Sequence, residues 1–247
     1  MGRCRLEPMS ATLTAAKLVA APVVAASAGS VFAARRRPSA KSTSVLQHLA
    51  AGIVIAAVAG EVLPDLRDRH SLAATLAGFV VGVVALLALS QFEARSERGG
   101  PSTGIPAAMV VALCIDLSID GILVGTGAAL GEGQGRTLTI ALTFEILFLA
   151  LSLTGELTER GLTARRAALV PIAASMTTVV GALAGAALLS RANNSTQAAV
   201  LAFGSAALLY LVTEELLVEA HDTPDGPIHV TMFFVGFIAL FTLEGLL

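Results

Sequence analysis

The sequence predicts an all-α polytopic membrane protein of eight transmembrane helices, with residues 1–247 forming a single transmembrane domain. Three observations carry this reading. Of the 247 residues, 55% are hydrophobic and only 14% charged, and mean hydropathy is +0.80. Eight apolar segments, about 11–34, 45–64, 71–92, 105–130, 137–157, 167–190, 196–218 and 228–247, follow one another; a bilayer crossing takes roughly 20 apolar residues. The connections are short, and charged or Gly/Pro-bearing, so no hydrophilic stretch is long enough to fold alone.

The first segment follows Arg3 and Arg5 and has small residues around Ala33, features shared with a secretory signal. It runs longer than a typical signal core, and Arg35–Arg37 behind it read as a cytoplasmic anchor. The second carries the small-residue run GIVIAAVAG and ends on Glu61 and Asp65. The third is followed by ARSERGGPSTG. The fourth holds Asp116 and Asp120, and the fifth holds Glu145. The sixth contains G-A-L-A-G, whose Gly181 and Gly185 form a small-xxx-small step that lets backbones approach. The seventh ends on Glu214, Glu215, Glu219 and His221, and the eighth has Glu244 near its end.

The acids of the fourth and fifth segments are the chemical signal. An ionised side chain at mid-membrane costs at least about 2.5–3.5 kcal/mol on insertion scales, so such residues are functional candidates by default. Asp116 and Asp120 are i and i+4 and share one helix face. With Glu145 on the next helix they form a candidate cation site. Three carboxylates around one divalent ion leave about one net negative charge, and acids this close raise one another's pKa. An all-oxygen site suits Mn²⁺ or Mg²⁺ better than imidazole-bearing sites do, although Zn²⁺ also accepts Asp and Glu. The competing structural reading is hydrogen bonding between helices, to Ser118, Ser152 or Thr143. Cys114 lies two residues from Asp116, off that helix face, and reads as packing.

Glu61 and Asp65 are candidates for an entrance that concentrates cations. Glu215, Glu219 and His221 are candidates for an exit or regulatory metal site. A lone His48 at the start of the second helix reads as a hydrogen-bonding helix end. Positive charge sets orientation. With the N-terminus outside, the cytoplasmic loops hold Arg35, Arg36, Arg37, Lys41, Arg95, Arg98, Arg160, Arg165 and Arg166. The outer side holds Arg3, Arg5, Arg67, Arg69, Arg136 and Arg191. The bias favours both termini outside.

There is an internal echo. Glu61-Val-Leu-Pro-Asp65-Leu-Arg-Asp68 closes the second segment, and Glu215-Leu-Leu-Val-Glu219-Ala-His-Asp222 closes the seventh. Each follows a small-residue run, and in this topology the two segments run in opposite directions. That is the pattern of an inverted repeat, a device of many secondary transporters; two acidic interfacial helix ends would look the same.

Several classes are excluded or disfavoured. Net charge is −2, which gives no case for nucleic-acid binding. Cys4 and Cys114 are far apart and the second lies in an apolar segment, so no disulfide framework is expected. There is no P-loop and no catalytic-triad spacing, so the chain does not read as an enzyme. Arginine (14) far outnumbers lysine (2), which with abundant alanine suggests a GC-rich bacterial genome and a bacterial inner membrane.

With these residues in place, the chain resembles the ZIP (Zrt/Irt-like) family of divalent-metal transporters over nearly its whole length. HLAAGIVIAAVAGEVLPDL is similar to the family's second helix, and LAFGSAALLYLVTEELLVEA to its seventh. The fourth segment resembles the family's metal-binding helix, usually His-Asn-x-Pro-Glu-Gly. Alignment on Gly121 puts Asp116 at the His, Leu117 at the Asn, Ile119 at the Pro and Asp120 at the Glu. The resemblance implies a 3+2+3 arrangement, with the site between the fourth and fifth helices flanked by two three-helix repeats. It also implies transport of a divalent metal (Zn²⁺, Mn²⁺ or Fe²⁺) toward the cytoplasm. The metal would be substrate, with no permanently bound cofactor; membrane lipid is the surrounding partner. Some relatives dimerise, so the resemblance allows a homodimer.

The departures matter. Leu149 stands where the family's fifth helix usually has Glu, and Thr178 where many bacterial members have Glu in the sixth. ARSERGGPSTG lacks the histidines of many relatives' third loop. At most one oxygen-rich site is expected, from Asp116, Asp120 and Glu145, with Ser118 or Thr178 nearby. A non-transporting metal sensor or membrane interaction protein, or a transporter of another cation, are the alternatives.

Overall fold

The computed structural model describes residues 8–36, 39–97, 105, 107–221 and 226–246, without the side chains of Pro8, Glu93, Ser96, Glu132 and Glu219. Among these the chain is helical throughout, with no strand. Eight spans are long and apolar enough to cross a membrane: α1 Met9–Arg35, α2 Ala40–Asp68, α3 Leu72–Phe92, α4 Ala107–Leu130, α5 Gly133–Glu159, α6 Ala164–Leu189, α7 Asn194–Leu216 and α8 Pro227–Glu244. The eight predicted segments are all present. α2 and α5 are longer than their apolar runs, because the helices continue through polar flanks.

Consecutive spans alternate in direction, so α1, α3, α5 and α7 finish at one end, where α2, α4, α6 and α8 begin. Ser39 starts α2 by accepting the Ser42 amide (3.2 Å), and Asn193 starts α7 by accepting that of Thr196 (2.8 Å).

Four spans are interrupted, each for an identifiable reason. α1 breaks at Val19, between Pro8–Leu18 and Ala20–Arg35. Pro22 has no amide hydrogen to offer the Leu18 carbonyl. α6 breaks at Ser175, between Ala164–Ala174 and Met176–Leu189. There the Ser175 and Thr177 hydroxyls donate back to Ile172 O and Ala174 O (both 2.8 Å), which bends helices. α2 widens into a π-helical turn at Val58–Val62, just before Pro64. α7 does the same at Leu211–Leu216, where Thr213 Oγ donates to Leu209 O (2.9 Å) and Tyr210 O (3.2 Å).

The most extensive pairings are α4 with α6, α2 with α8, α1 with α5 and α3 with α7. Glycines make them close. A Cβ on Gly121 would lie 2.2 Å from Thr178 O, and one on Gly181 would lie 2.3 Å from Ser118 O. At α2–α8, a Cβ on Gly52 would lie 2.0 Å from Phe233 O, and one on Gly236 would lie 2.2 Å from Leu49 O. No side chain larger than hydrogen fits such approaches. α1 packs into the bundle through Gly29, against Leu147 of α5.

α3 and α8 are peripheral. Leu72, Leu76, Val80 and Val84 of α3, and Ile228, Phe234, Ile238 and Phe241 of α8, are all exposed. Apolar faces of this extent suit lipid rather than water. The deepest core lies among α2, α4, α5 and α7, where Val54, Val58, Leu123, Val124, Leu138, Leu142 and Leu201 cluster fully buried.

Candidate metal centre

Two faces of α4 have different tasks. Ser118, Gly121, Ile122 and Gly125 press against α6. Asp116 and Asp120 lie off that face, on the side where Gly127 meets Gly135 and Leu138 of α5. α5 presents Leu138, Leu142 and Glu145 at helical spacing, so Glu145 meets the aspartates. Asp116 and Asp120 straddle the middle of α4, and Glu145 lies at the middle of the Glu132–Glu159 helix. The site is therefore far from both ends.

Asp116, Asp120 and Glu145 each offer a carboxylate oxygen, all within 4.8 Å of one another. Asp120 is 2% exposed and Glu145 1%. Asp120 Oδ2 and both Glu145 oxygens are buried without a hydrogen-bond donor among the described residues. Two hydroxyls that could have served them are spent on their own helices. Ser118 Oγ donates to Cys114 O (2.5 Å) and Thr143 Oγ to Thr139 O (2.6 Å). Three carboxylates brought together repel one another, and the two buried ones lose hydration, so the arrangement favours a bound cation or protons.

A cavity of about 280 Å³ leads from this cluster. Asp116, Glu145 and Ser152 line it from α4 and α5, Ser90 from α3, and Tyr210 and Glu215 from α7. It reaches Glu156, whose side chain is 46% exposed, at the end where α3, α5 and α7 finish. In the other direction the path is closed. Val58, Val62, Leu123, Val124, Leu138 and Leu142, each at most 1% exposed, fill the space. Beyond them lies a shallow depression of about 170 Å³ lined by Glu61, Asp65, Asp68 and Gln134, among others.

Residues 96–244 match the family model described as ZIP zinc transporter. The chain belongs to the ZIP family. No curated protein matches it significantly in sequence. ZIP members are transporters, not enzymes, so a multi-pass membrane protein that handles metal is the general assignment. Within the ZIP frame, Leu149 lines the cavity beside Glu145, and Thr178 is fully buried with its hydroxyl unpartnered among the described residues.

The remaining predicted residues fall into two groups. Glu61 and Asp65 line the shallow depression, but Asp65 is buried and its Oδ2 takes Arg69 Nε at 2.6 Å. It is thus already paired with a cation of the chain, and Glu61 and Asp68 are the other acids of that depression. Glu244, from α8, lies against Gly60: a Cβ there would lie 2.2 Å from Glu244 Oε2. Glu215 lines the cavity wall. Glu219's side chain lies outside the described residues, as do Arg3, Arg5, Arg37 and Arg98 of the charge pattern. His48 is not alone; His221 and His229 stand around it. The α2–α8 glycine contacts bring His229 toward His48, and the Ser44 Oγ bond to Ala220 O holds the segment bearing His221 beside α2.

Proposed function

We propose that this ZIP protein carries a divalent metal ion, Zn²⁺, Mn²⁺ or Fe²⁺, toward the cytoplasm through the carboxylate site of Asp116, Asp120 and Glu145 between α4 and α5. The observation that carries the reading is the convergence of three acids, two of them fully buried and without donors, at mid-helix. Intramembrane acids facing a cavity are the usual mark of an ion pathway.

The direction rests on charge. Arg35, Arg36, Lys41, Arg95, Arg160, Arg165 and Arg166 lie toward the end where the cavity opens, against Arg67, Arg69, Arg136 and Arg191 at the other. By the positive-inside rule the open end is cytoplasmic and both termini lie outside. The cavity then represents an inward-facing arrangement, and the apolar seal is the closed outer gate. Ions gather at Glu61, cross when the seal parts, rest on the three carboxylates, and leave past Glu215. Protonation of one carboxylate on release would offset the repulsion in the empty site.

An inverted 3+2+3 repeat fits this cycle. Exchanging α1 with α6, α2 with α7, α3 with α8 and α4 with α5 maps the four largest pairings onto themselves. It also matches the breaks of α1 and α6 and the π-turns of α2 and α7. Two related halves supply two related half-channels to one site.

The test is uptake of Zn²⁺, Mn²⁺, Fe²⁺ and Cd²⁺ into proteoliposomes by the unaltered chain and by Asp120→Ala. Uptake lost in the variant supports the site and ranks the metals. Absence of uptake for every metal, with protein folded and inserted, overturns transport and favours the sensor reading, to which the departures at Leu117, Leu149 and Thr178 point.

A further inference from the structure

A groove of about 580 Å³ lies on the flank of the bundle, and none of the three carboxylates lines it. α3 contributes Ala77 and Val81, α4 contributes Ile119 and Leu123, and α7 contributes positions from Ser195 to Gly204. A Cβ on Gly78 would lie 2.1 Å from Ala199 O, so α3 and α7 touch through their backbones. α4 packs far less against either of them, and it meets α7 through the Leu123 side chain at Gly204. Close contact on one side and loose contact on two leave a slot. Its volume falls in the range of ligand pockets, about 300–1,000 Å³.

Surroundings, length and polarity together indicate the occupant. Apart from Ser195 and Thr196 at one end, the lining is apolar, so water inside would lack hydrogen-bond partners. The groove is continuous with the lipid-facing flank: Val81 in its wall is exposed, as are Val80 and Val84 of α3 and Ile115 of α4 nearby. From Ser195 to Gly204, α7 rises roughly 14 Å at about 1.5 Å per residue. That is about half of a hydrocarbon core of roughly 30 Å, the depth of one leaflet.

The polar end lies where a headgroup would lie. Ser195 and Thr196 are in the first turn of α7, and Arg191 comes four residues before Ser195. All three are exposed, and their side chains have no partner among the described residues. A guanidinium only donates, and with two hydroxyls beside it in the chain it suits a phosphate. The occupant therefore needs a slender apolar part of one-leaflet length and an anionic end, which a phospholipid supplies.

We propose that this groove binds one phospholipid, with an acyl chain along α7 between α3 and α4 and the phosphate at Ser195, Thr196 and Arg191. Leu123 belongs both to the groove wall and to the apolar seal, so the bound chain stands directly behind that seal. The inference rests on residence in a membrane and not on which ion the carboxylates carry.

The experiment uses the full chain, purified in detergent and washed free of bulk lipid. Native mass spectrometry reads the phospholipid retained, and melting is followed as dioleoyl phosphatidylglycerol is added. One retained lipid per chain is expected, with a melting point that rises with added lipid. Ala77→Phe and Val81→Trp, both at exposed positions, place a ring in the groove. Each is expected to weaken retention at least about tenfold, and either decides alone where the other does not fold. Val80→Phe, on the same helix but outside the groove, should leave retention unchanged. Retention that both groove variants leave intact overturns the site, and so does equal binding of oleate or of the soluble headgroup alone. Dimers that both groove variants disperse, with no lipid retained, would give the groove to a second copy and also overturn it. No arm reads metal uptake, so failure here is separate from failure of the carboxylate site.

Discussion

Glu61 and Glu215 each sit in a π-helical turn, one in α2 and one in α7, at opposite ends of the molecule. In both turns an amide reaches back five residues, Leu63 to Val58 O and Leu217 to Val212 O. A π-turn inserts one residue into an α-helix and rotates the residues beyond it, and such turns gather at functional sites. Here Glu61 lines the depression at one end and Glu215 the cavity that opens at the other.

Deleting Thr213 should convert the Leu211–Leu216 turn to regular α-helix and rotate Glu215 relative to the rest of α7. Metal uptake is expected to fall at least tenfold while the protein still inserts. Uptake at the unaltered rate would show that the wide turn is incidental.

The carboxylate cluster should weaken the empty fold. Asp120→Asn or Glu145→Gln removes one of two buried acids from a cluster of three mutually repelling carboxylates and is expected to raise metal-free stability by about 1 kcal/mol, as strained functional sites do. Thermal melting in detergent with chelator reads this. A lowered melting point would mean that the acids are structural partners.

Arg69 closes the opposite end. Its Nε holds Asp65, and its Nη1 donates to Gln197 Oε1 (2.8 Å) and Asn194 Oδ1 (3.1 Å). Asn194 returns a bond to Arg69 O (2.8 Å), and Gln197 donates to Leu189 O (2.7 Å). The α2–α3 turn is thereby tied to the ends of α6 and α7. Arg69→Ala removes this ion pair from the buried Asp65 and should cost about 3 kcal/mol. Asp65→Asn in the same chain should recover much of that loss. A melting curve that Arg69→Ala leaves unmoved would remove the clamp from the account.

Gly125→Ala places a methyl 2.1 Å from Ala182 O and should destabilise by about 1–3 kcal/mol. Gly133→Ala meets nothing within 4 Å and should be neutral or stabilising. Equal melting points for the two variants would contradict the close α4–α6 contact.

The spans were legible because lipid demands long apolar runs, and Asp116, Asp120 and Glu145 were legible because acids stand out within them. Their convergence came from i, i+4 spacing on one helix and a short connection to the next. The π-turns left no local mark beyond Pro64. Without the one in α7, Glu215 read only as an exit acid, with its place in the cavity wall unseen. Asp65 read as an entrance, yet Arg69 four residues on was already a helical partner in the sequence. His48 looked solitary because its companions lie on α7 and α8, joined to it only through tertiary contacts.

Backbone lies directly on backbone where α1 meets α5 at Gly29, α4 meets α6 at Gly121 and Gly181, α2 meets α8 at Gly52, and α3 meets α7 at Gly78. Between α4 and α7, Gly204 meets instead the side chain of Leu123, a flexible group. Backbone contacts have one register, whereas a leucine can change rotamer and let its neighbour pass. Leu123, one turn from Asp120 and part of the buried apolar seal, is therefore a contact that can shift while the backbone-to-backbone contacts hold their register.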